Sequence, residues 1–257
     1  MTLLTAHNLT RRYPLPRTKL LGKAPFLTAV SNVSFEINPG ETFGVVGESG
    51  SGKSTLARMA MAFEAPDDGT ILFEGQDIHA LNAPDLRRLR PDFQMIFQDP
   101  FSSLDPRRKV GWSIAEPLRA MGITAPDRVA ESFEQVGLHA ADGDKYPHEF
   151  SGGQRQRIAI ARAIITRPKL LIADEAVSAL DVSVQAQILN LLMDLQDSLG
   201  LGILFISHDL AVVASICDTL LVMQHGKPLE YGPAVDILQN PSHTYTRSLL
   251  TAAGDKP

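Results

Sequence analysis

Gly47-Glu48-Ser49-Gly50-Ser51-Gly52-Lys53-Ser54-Thr55 decides the fold. The stretch fits G-x-x-x-x-G-K-[ST], a loop whose backbone amides wrap around phosphate. Thr42-Phe43-Gly44-Val45-Val46 before it is short and apolar, so it reads as a buried strand. Thr55 to Phe63 after it holds strong helix formers and no proline. Strand, glycine loop and helix in that order supply the context that a chance glycine-rich turn lacks. Glycines let the backbone turn with positive φ and aim successive N–H groups at one anion. A helix starting near Lys53 adds unpaired amides and the positive end of its dipole. The whole run from Gly47 to Thr55 is therefore expected to cradle phosphate. Lys53 is expected to reach the β- and γ-phosphates of a nucleotide, and the Ser54 hydroxyl to ligate Mg²⁺.

Size and composition bound what surrounds the loop. A chain of 257 residues can bury a full α/β core with a subdomain attached. Its 44% hydrophobic and 21% charged content is ordinary for a globular protein. Acids outnumber bases, 29 to 24, which argues against indiscriminate nucleic-acid binding and leaves room for a local basic patch. The single cysteine, Cys217, excludes an internal disulfide framework and a metal cluster held by cysteines of this chain alone. Its apolar neighbours read as a packed thiol. The N-terminus lacks a signal-peptide pattern, and no apolar run approaches the roughly 20 residues that span a bilayer. The nearest, Leu210 to Met223, is too short and is interrupted by Asp218. A cytosolic chain is expected, with any membrane role coming through partners.

In chain order, Leu3 to Leu9 reads as a strand, followed by Tyr13. Pro14 to Ala29 reads as irregular. Arg11, Arg12, Arg17, Lys19 and Lys23 form a basic cluster there, either solvated or facing an anionic partner. Ala29 to Ile37 alternates as an antiparallel strand does. Thr70 to Phe73 is a strand, Pro84 to Arg90 a short basic helix, and Phe93 to Phe97 a strand ending at Gln98. Proline and glycine punctuate a helical region, with helices over Gly111 to Met121 and Asp127 to Val136. Ser151-Gly152-Gly153-Gln154 opens a helix through Ile165, and Leu170 to Ala173 is a buried strand leading to Asp174-Glu175. Val184, Ile188, Leu191, Leu195 and Leu199 mark a long amphipathic helix stopped by Gly200. Ile203 to Ile206 is a strand ending at Ser207-His208-Asp209, and Leu220 to Tyr231 reads as a hairpin. Short helices over Val235 to Gln239 and Tyr245 to Ala252 complete the chain.

Alternating strands and helices imply a largely parallel sheet with right-handed crossovers. Ligands of such sheets sit at the carboxyl ends of strands. The phosphate loop, Asp174-Glu175 and His208 all follow such ends. Asp174 suits the hydration shell of Mg²⁺, and Glu175 suits the base that orients or deprotonates an attacking water.

With Ser151-Gly152-Gly153-Gln154 added, the chain resembles the ATP-binding subunit of an ABC transporter. The phosphate loop, Gln98, the SGGQ signature, Leu170 to Glu175, Ser178-Ala179-Leu180-Asp181 and His208 follow that family's order and approximate spacing. The resemblance runs from Leu3 to about Tyr231. It implies a P-loop NTPase of ABC type: a mixed α/β sheet core with an antiparallel β subdomain and an inserted helical subdomain. The expected division is an ATPase domain over 3–232, its helical insert at about 101–166, and a short helical tail over 233–257.

The family's mechanism is implied with the fold. Two such domains face each other head to tail, and each ATP lies between one phosphate loop and the other chain's Ser151-Gly152-Gly153-Gln154. A helix N-terminus there is a ready second anion site. The resemblance makes Glu175 the base. It places His208 on the γ-phosphate, Gln98 on Mg²⁺ or water, and Asp181 between facing sites. Tyr13 either stacks on adenine or packs in the core. The catalytic set is thus Glu175, His208, Lys53 and Gln98, and the metal set Ser54, Gln98 and Asp174. The ligands are ATP and Mg²⁺.

Phe97-Gln98-Asp99-Pro100-Phe101-Ser102-Ser103-Leu104-Asp105-Pro106-Arg107 and the tail His243-Thr244-Tyr245-Thr246-Arg247-Ser248-Leu249-Leu250 are similar to importers of dipeptides, oligopeptides and nickel. That similarity implies a second, different ATPase subunit, two membrane permeases and an extracytoplasmic solute-binding protein, with no nucleic acid. The location implied is the cytoplasmic face of the inner membrane. Ala176-Val177 stands where proline and threonine or serine are commoner in the family, which blurs the substrate between peptides and nickel or metal chelates. The tail has no cysteines, so an iron–sulfur cluster is not expected. A soluble ABC ATPase acting on nucleic acid or ribosomes is the reading from another class. A regulatory subunit that binds nucleotide without hydrolysis is a third, against which Glu175 and His208 both stand.

Overall fold

Two hydrophobic patterns in the chain build two kinds of sheet. A computed structural model describes residues 2–16, 25–99 and 103–254. In chain order its strands are β1 (Leu4–Pro14), β2 (Phe26–Ile37), β3 (Thr42–Val46), β4 (Asp68–Phe73), β5 (Gln76–Asp77), β6 (Phe93–Ile96), β7 (Leu170–Asp174), β8 (Gly202–Ser207), β9 (Thr219–Gln224) and β10 (Lys227–Pro233). The chain divides into two compact units. One holds the segment up to Asn82 and everything from Leu204 onward; the other is Ala83–Ile203.

In the first unit, alternation builds an antiparallel sheet in the order β2-β1-β4-β5. Val33, Phe35 and Ile37 of β2 are buried and pair with Leu9, Ala6 and Leu4 of β1, while Ile71 and Phe73 of β4 pair with Ala6 and Leu4. The register slips between Ala6 and Leu9, where Asn8 takes φ 49°. Such a bulge inserts one residue and returns Leu9 to the buried face. Beyond it β1 continues through Tyr13 and Pro14, paired with Leu27 and Phe26. The strand is longer than its apolar part, because a partner strand completes its backbone bonds where the sequence turns polar at Thr10-Arg11-Arg12.

Continuous apolar runs build the other sheet, in which these strands follow the order β10-β9-β3-β8. All five residues of β3 are buried, as are all six of β8. β3 runs parallel to β9, and β9 antiparallel to β10, so the sheet is mixed. The turn between β9 and β10 is His225-Gly226, both at positive φ (49° and 78°), the geometry a tight hairpin requires. The stacked rings of Phe35 and Phe43, 4.9 Å apart, join the two sheets. The helix after the phosphate loop spans Lys53–Ala60, starting where it was expected, and buries Leu56, Ala57, Met59 and Ala60. Helix Leu210–Ile216, which was not expected, starts at Asp209, whose carboxylate accepts from the Ala211 amide at 3.0 Å. Two helices, Ala234–Gln239 and Thr244–Gly254, end the described chain.

In the second unit β6 and β7 are parallel, with Phe93 opposite Leu170 and Ile96 opposite Ala173. Around them lie helices Ala83–Leu89, Val110–Ile114, Glu116–Ala120, Pro126–Gln135, Gly152–Ile164 and Val182–Leu199. The single helix expected over Gly111 to Met121 is two. Pro117 sits in the first turn of the second, where its missing N–H costs nothing. Helix Gly152–Ile164 buries Ile158, Ile160, Ala161, Ala163 and Ile164. Its arginines, off that face, reach outward to carbonyls: Arg155 to Pro147 at 2.6 Å, Arg157 to Val136 at 2.7 Å and Arg162 to Ser103 at 2.5 Å. Charge-assisted bonds of this kind tie the helix to segments that have no sheet to hold them.

Candidate functional site

The phosphate loop leaves β3 at Gly47, whose neighbours demand glycine. A Cβ at Gly47 would lie 2.1 Å from the Met223 carbonyl oxygen, and one at Gly52 would lie 2.2 Å from that of Ala29. Gly50 and Gly52 also take φ 80° and 103°, which side chains other than glycine resist. The loop is held from outside. The Gly226 amide of the hairpin turn donates to the Ser51 carbonyl at 3.0 Å, and Ser31 donates to Gly226 at 2.8 Å. Lys53 is buried, and its ammonium donates to the carbonyls of Gly47 (2.7 Å) and Glu48 (2.9 Å). The lysine thus folds back over its own loop and closes it into a ring. Burying an ammonium is costly unless it is paired, so this arrangement fixes a positive charge at the loop. Glu48, Ser49, Gly50 and Ser54 are exposed, and Thr55 half-buried, at the mouth of the helix Lys53–Ala60. The Ser51 hydroxyl is buried without a partner among the described residues.

His208 and Tyr13 lie in the same unit. His208 is exposed immediately after β8. Tyr13 is half-buried on β1, its hydroxyl donates to Glu64, and the Arg11 guanidinium stands 5.1 Å from its ring centre. Arg11 also pairs with Asp67 at 3.2 Å, and Arg12 with Asp68 at 2.8 Å. These two members of the basic cluster therefore face acids of their own unit. Arg17, Lys19 and Lys23 lie outside the described residues. Sequence reasoning missed Tyr245 as a neighbour of the loop: it is buried, and its hydroxyl accepts from the Glu48 amide at 2.9 Å. Its fixed place two residues after His243 in a helical tail was the available signal, but nothing in it names the loop.

In the second unit the register of β6 and β7 does the positioning. With Ile96 opposite Ala173, Gln98 falls opposite Glu175. The Gln98 amide donates to the Glu175 carboxylate at 3.1 Å. Asp174 and Glu175 are half-buried at the strand end. Glu175 takes φ 50°, a left-handed conformation uncommon outside glycine and asparagine. Two bonds to its carbonyl, from the Ser178 amide (3.1 Å) and hydroxyl (2.9 Å), hold that turn. Ala176 and Val177, the departures from the family pattern, are buried beneath it. A residue held in such a conformation is over-determined by its surroundings, as reactive positions often are. The flanking Pro100, Phe101 and Ser102 lie outside the described residues.

Ser151, Gly152 and Gln154 are exposed, and Gly153 half-buried. Ser151 caps helix Gly152–Ile164 reciprocally: its hydroxyl accepts from the Gln154 amide at 3.3 Å, and the Gln154 side chain accepts from the Ser151 amide at 3.0 Å. A Cβ at Gly153 would lie 2.5 Å from the Val184 side chain, so glycine there lets two helices approach. Asp181 is exposed and caps helix Val182–Leu199. The Val184 amide, then the Ser183 hydroxyl, hold its carboxyl below the usual range. Cys217 is a packed thiol that burial pushes up, against Gly44 and Val213.

Among the described residues no group of three or more His, Cys, Asp or Glu side chains gathers to hold a metal. Taken separately, the hydroxyl of Ser54 in the first unit and the Gln98 amide and Asp174 carboxylate in the second each offer a hard oxygen. That fits Mg²⁺, which keeps waters and substrate phosphates in its shell. No helix among the described residues is long and apolar enough to cross a membrane.

Known proteins match this arrangement. A family model described as ABC transporter matches residues 30–178. The glutathione import ATP-binding protein GsiA of Escherichia coli K12 is 52% identical over 97% of this chain. The di/tripeptide transport ATP-binding protein DppF of Pseudomonas aeruginosa UCBPP-PA14 is 49% identical over 98%. The chain spans 41% of the length of GsiA and 79% of DppF. Among solved structures, cbiO1 from Clostridium perfringens, part of the ABC transporter complex cbiONQ, is 28% identical with a TM-score of 0.80. That match covers 93% of this chain and 91% of cbiO1. A dimeric, post-hydrolysis structure of the ATP-binding cassette MJ0796 with ADP and Pi is 25% identical with a TM-score of 0.78, over 90% of this chain and 98% of that one. The fold is therefore that of ABC ATPase domains, and the likeness along nearly the whole sequence shows that this chain belongs to the ABC transporter family.

Proposed function

We propose that this chain binds and hydrolyses ATP to power the uptake of short peptides by an ABC importer. The observation that carries the reading is the phosphate loop closed by its own buried lysine, whose ammonium donates to the Gly47 and Glu48 carbonyls. The substrate class rests on the names of GsiA and DppF, since glutathione and di- or tripeptides are all short peptides. A nickel or metal-chelate importer is the alternative.

Each residue takes the role that the chemistry of its type allows. Residues Gly47 to Thr55 hold the phosphates, with Lys53 on the β- and γ-groups, and Tyr13 faces the adenine. Ser54, Gln98 and Asp174 hold Mg²⁺, which neutralises phosphate charge when bound. Glu175 accepts the proton of the attacking water, oriented by the Gln98 amide, and His208 steadies the γ-phosphate. Ser151 to Gln154 of a partner ATPase subunit, a different paralogue, close on the nucleotide, and Asp181 links the two sites. The exposed helix start at Ser151 supports that last role, because it leaves amides accessible to a second chain. The ATPase domain is read as 3–232 with a helical insert at about 101–166 and a tail from 233. Two permeases and an extracytoplasmic binding protein complete the assembly, and the chain works at the inner face of the membrane.

The test is Glu175→Gln in the assembled transporter. ATP affinity is expected to stay within about twofold while turnover falls by about 10²–10⁴, the usual worth of a positioned base. Normal turnover would assign the base elsewhere.

A further inference from the structure

The Gly47–Glu48 peptide group is held at both ends. Its carbonyl accepts from the Lys53 ammonium at 2.7 Å, and its amide donates to the Tyr245 hydroxyl at 2.9 Å. A trans peptide is planar, with C=O and N–H pointing in opposite directions. Fixing one end therefore fixes the other. The preceding residue is Gly47, at φ +159°, where no side chain resists rotation of that plane. Left with the lysine alone, the plane would have a single tether.

Tyr245 is placed firmly enough to act as the second. It is buried in the first turn of helix Thr244–Gly254. The His243 ring accepts from its amide at 3.1 Å, and Ser248 donates to its carbonyl at 2.7 Å. Glu230 of β10 fixes the start of the tail by accepting from the Ser242 hydroxyl and from the His243 amide at 2.6 Å. Burial pushes the Tyr245 phenol up, so the hydroxyl stays protonated and neutral near physiological pH.

We propose that Tyr245 is a positioning residue for Lys53: through the Gly47–Glu48 peptide it keeps the lysine in the phosphate-binding geometry, so the tail helix sets nucleotide affinity. The inference rests on the proposed ATP binding. By linkage, the hydroxyl contributes to affinity only as far as its bond is stronger in the nucleotide-bound loop than in the empty one.

The experiment titrates trinitrophenyl-ATP with Mg²⁺ into the full chain, as wild type, Tyr245→Phe and Ser248→Ala, beside thermal melts of each. Tyr245→Phe removes only the hydroxyl; Ser248→Ala loosens the same turn without touching the loop. The expected result is about a fivefold weaker Kd for Tyr245→Phe, the typical worth of one hydrogen bond, with Ser248→Ala within about twofold of wild type. A Tyr245→Phe Kd equal to wild type overturns the proposal, and so does an equal rise in both variants, which would assign the effect to tail packing. If Tyr245→Phe does not fold, exchange of the Glu48 amide in the unaltered chain decides. Slower exchange with trinitrophenyl-ATP bound than without it supports the proposal, and equal exchange in the two states overturns it. A wild-type chain with no saturable binding removes the ATP reading and this inference together, whereas a saturable wild type with an indifferent Tyr245→Phe removes the inference alone.

Discussion

Lys53 and Glu175 show how much one side chain's chemistry depends on the backbone beneath it. The Lys53 ammonium donates to the carbonyls of Gly47 and Glu48, so the path of the loop backbone sets where its charge stands. Lys53→Ala removes that charge and opens the ring. ATP affinity is expected to fall at least about tenfold, the low end for hydrogen bonds to a charged group, in an equilibrium titration; unchanged affinity would contradict the assigned role. Gly153→Ala is a quieter test. Its Cβ would meet the Val184 side chain at 2.5 Å, and overpacking of this kind costs about 1–3 kcal/mol, so a chemical melt should show the loss. At this scale the sequence points to a residue wherever a motif names an atom, as it does for Lys53, Ser151 and Glu175. Tyr245 could not be read this way, because its partner is a backbone amide 197 positions away, and backbone groups leave no mark in the sequence.

Elements were legible where pattern and punctuation agree. β3, β7 and β8 are short continuous apolar runs bounded by polar turns, and each was found at its place. β1 was cut short because its second half is polar and owes its extended form to pairing with β2. Helix Leu210–Ile216 hid inside an apolar run that continues past its end and is interrupted at Asp218. Asp181 makes a prediction at this scale, because it starts a helix of 18 residues. Its carboxyl lies below the usual range when folded, so the stabilisation is in force above the unfolded value of about 3.9 and fades as pH falls through the lower folded one. Asp181→Asn should flatten the acid limb of the stability curve in urea unfolding; identical acid limbs would remove the carboxylate's part in the cap.

For the whole molecule, the parallel pairing of β6 with β7 matters most. That register, in which Phe93, Met95 and Ile96 lie opposite Leu170, Ile172 and Ala173, delivers Gln98 to Glu175. The same economy applies to the helix Gly152–Ile164: its apolar face and its arginine tethers leave Ser151 and Gly152 at the surface. The fold class could be read from strand and helix order, but the partner subunit could not, because one chain does not carry its neighbour's surface. The central claim is that the nucleotide held by the phosphate loop is completed by another subunit's Ser151. The most direct measurement pairs ATP affinity of the isolated chain with ATP turnover of the assembled transporter for Ser151→Arg. Affinity within about twofold of wild type, with turnover reduced by about 10³ or more, is the result expected; loss of binding by the isolated chain, or undiminished turnover, would contradict it.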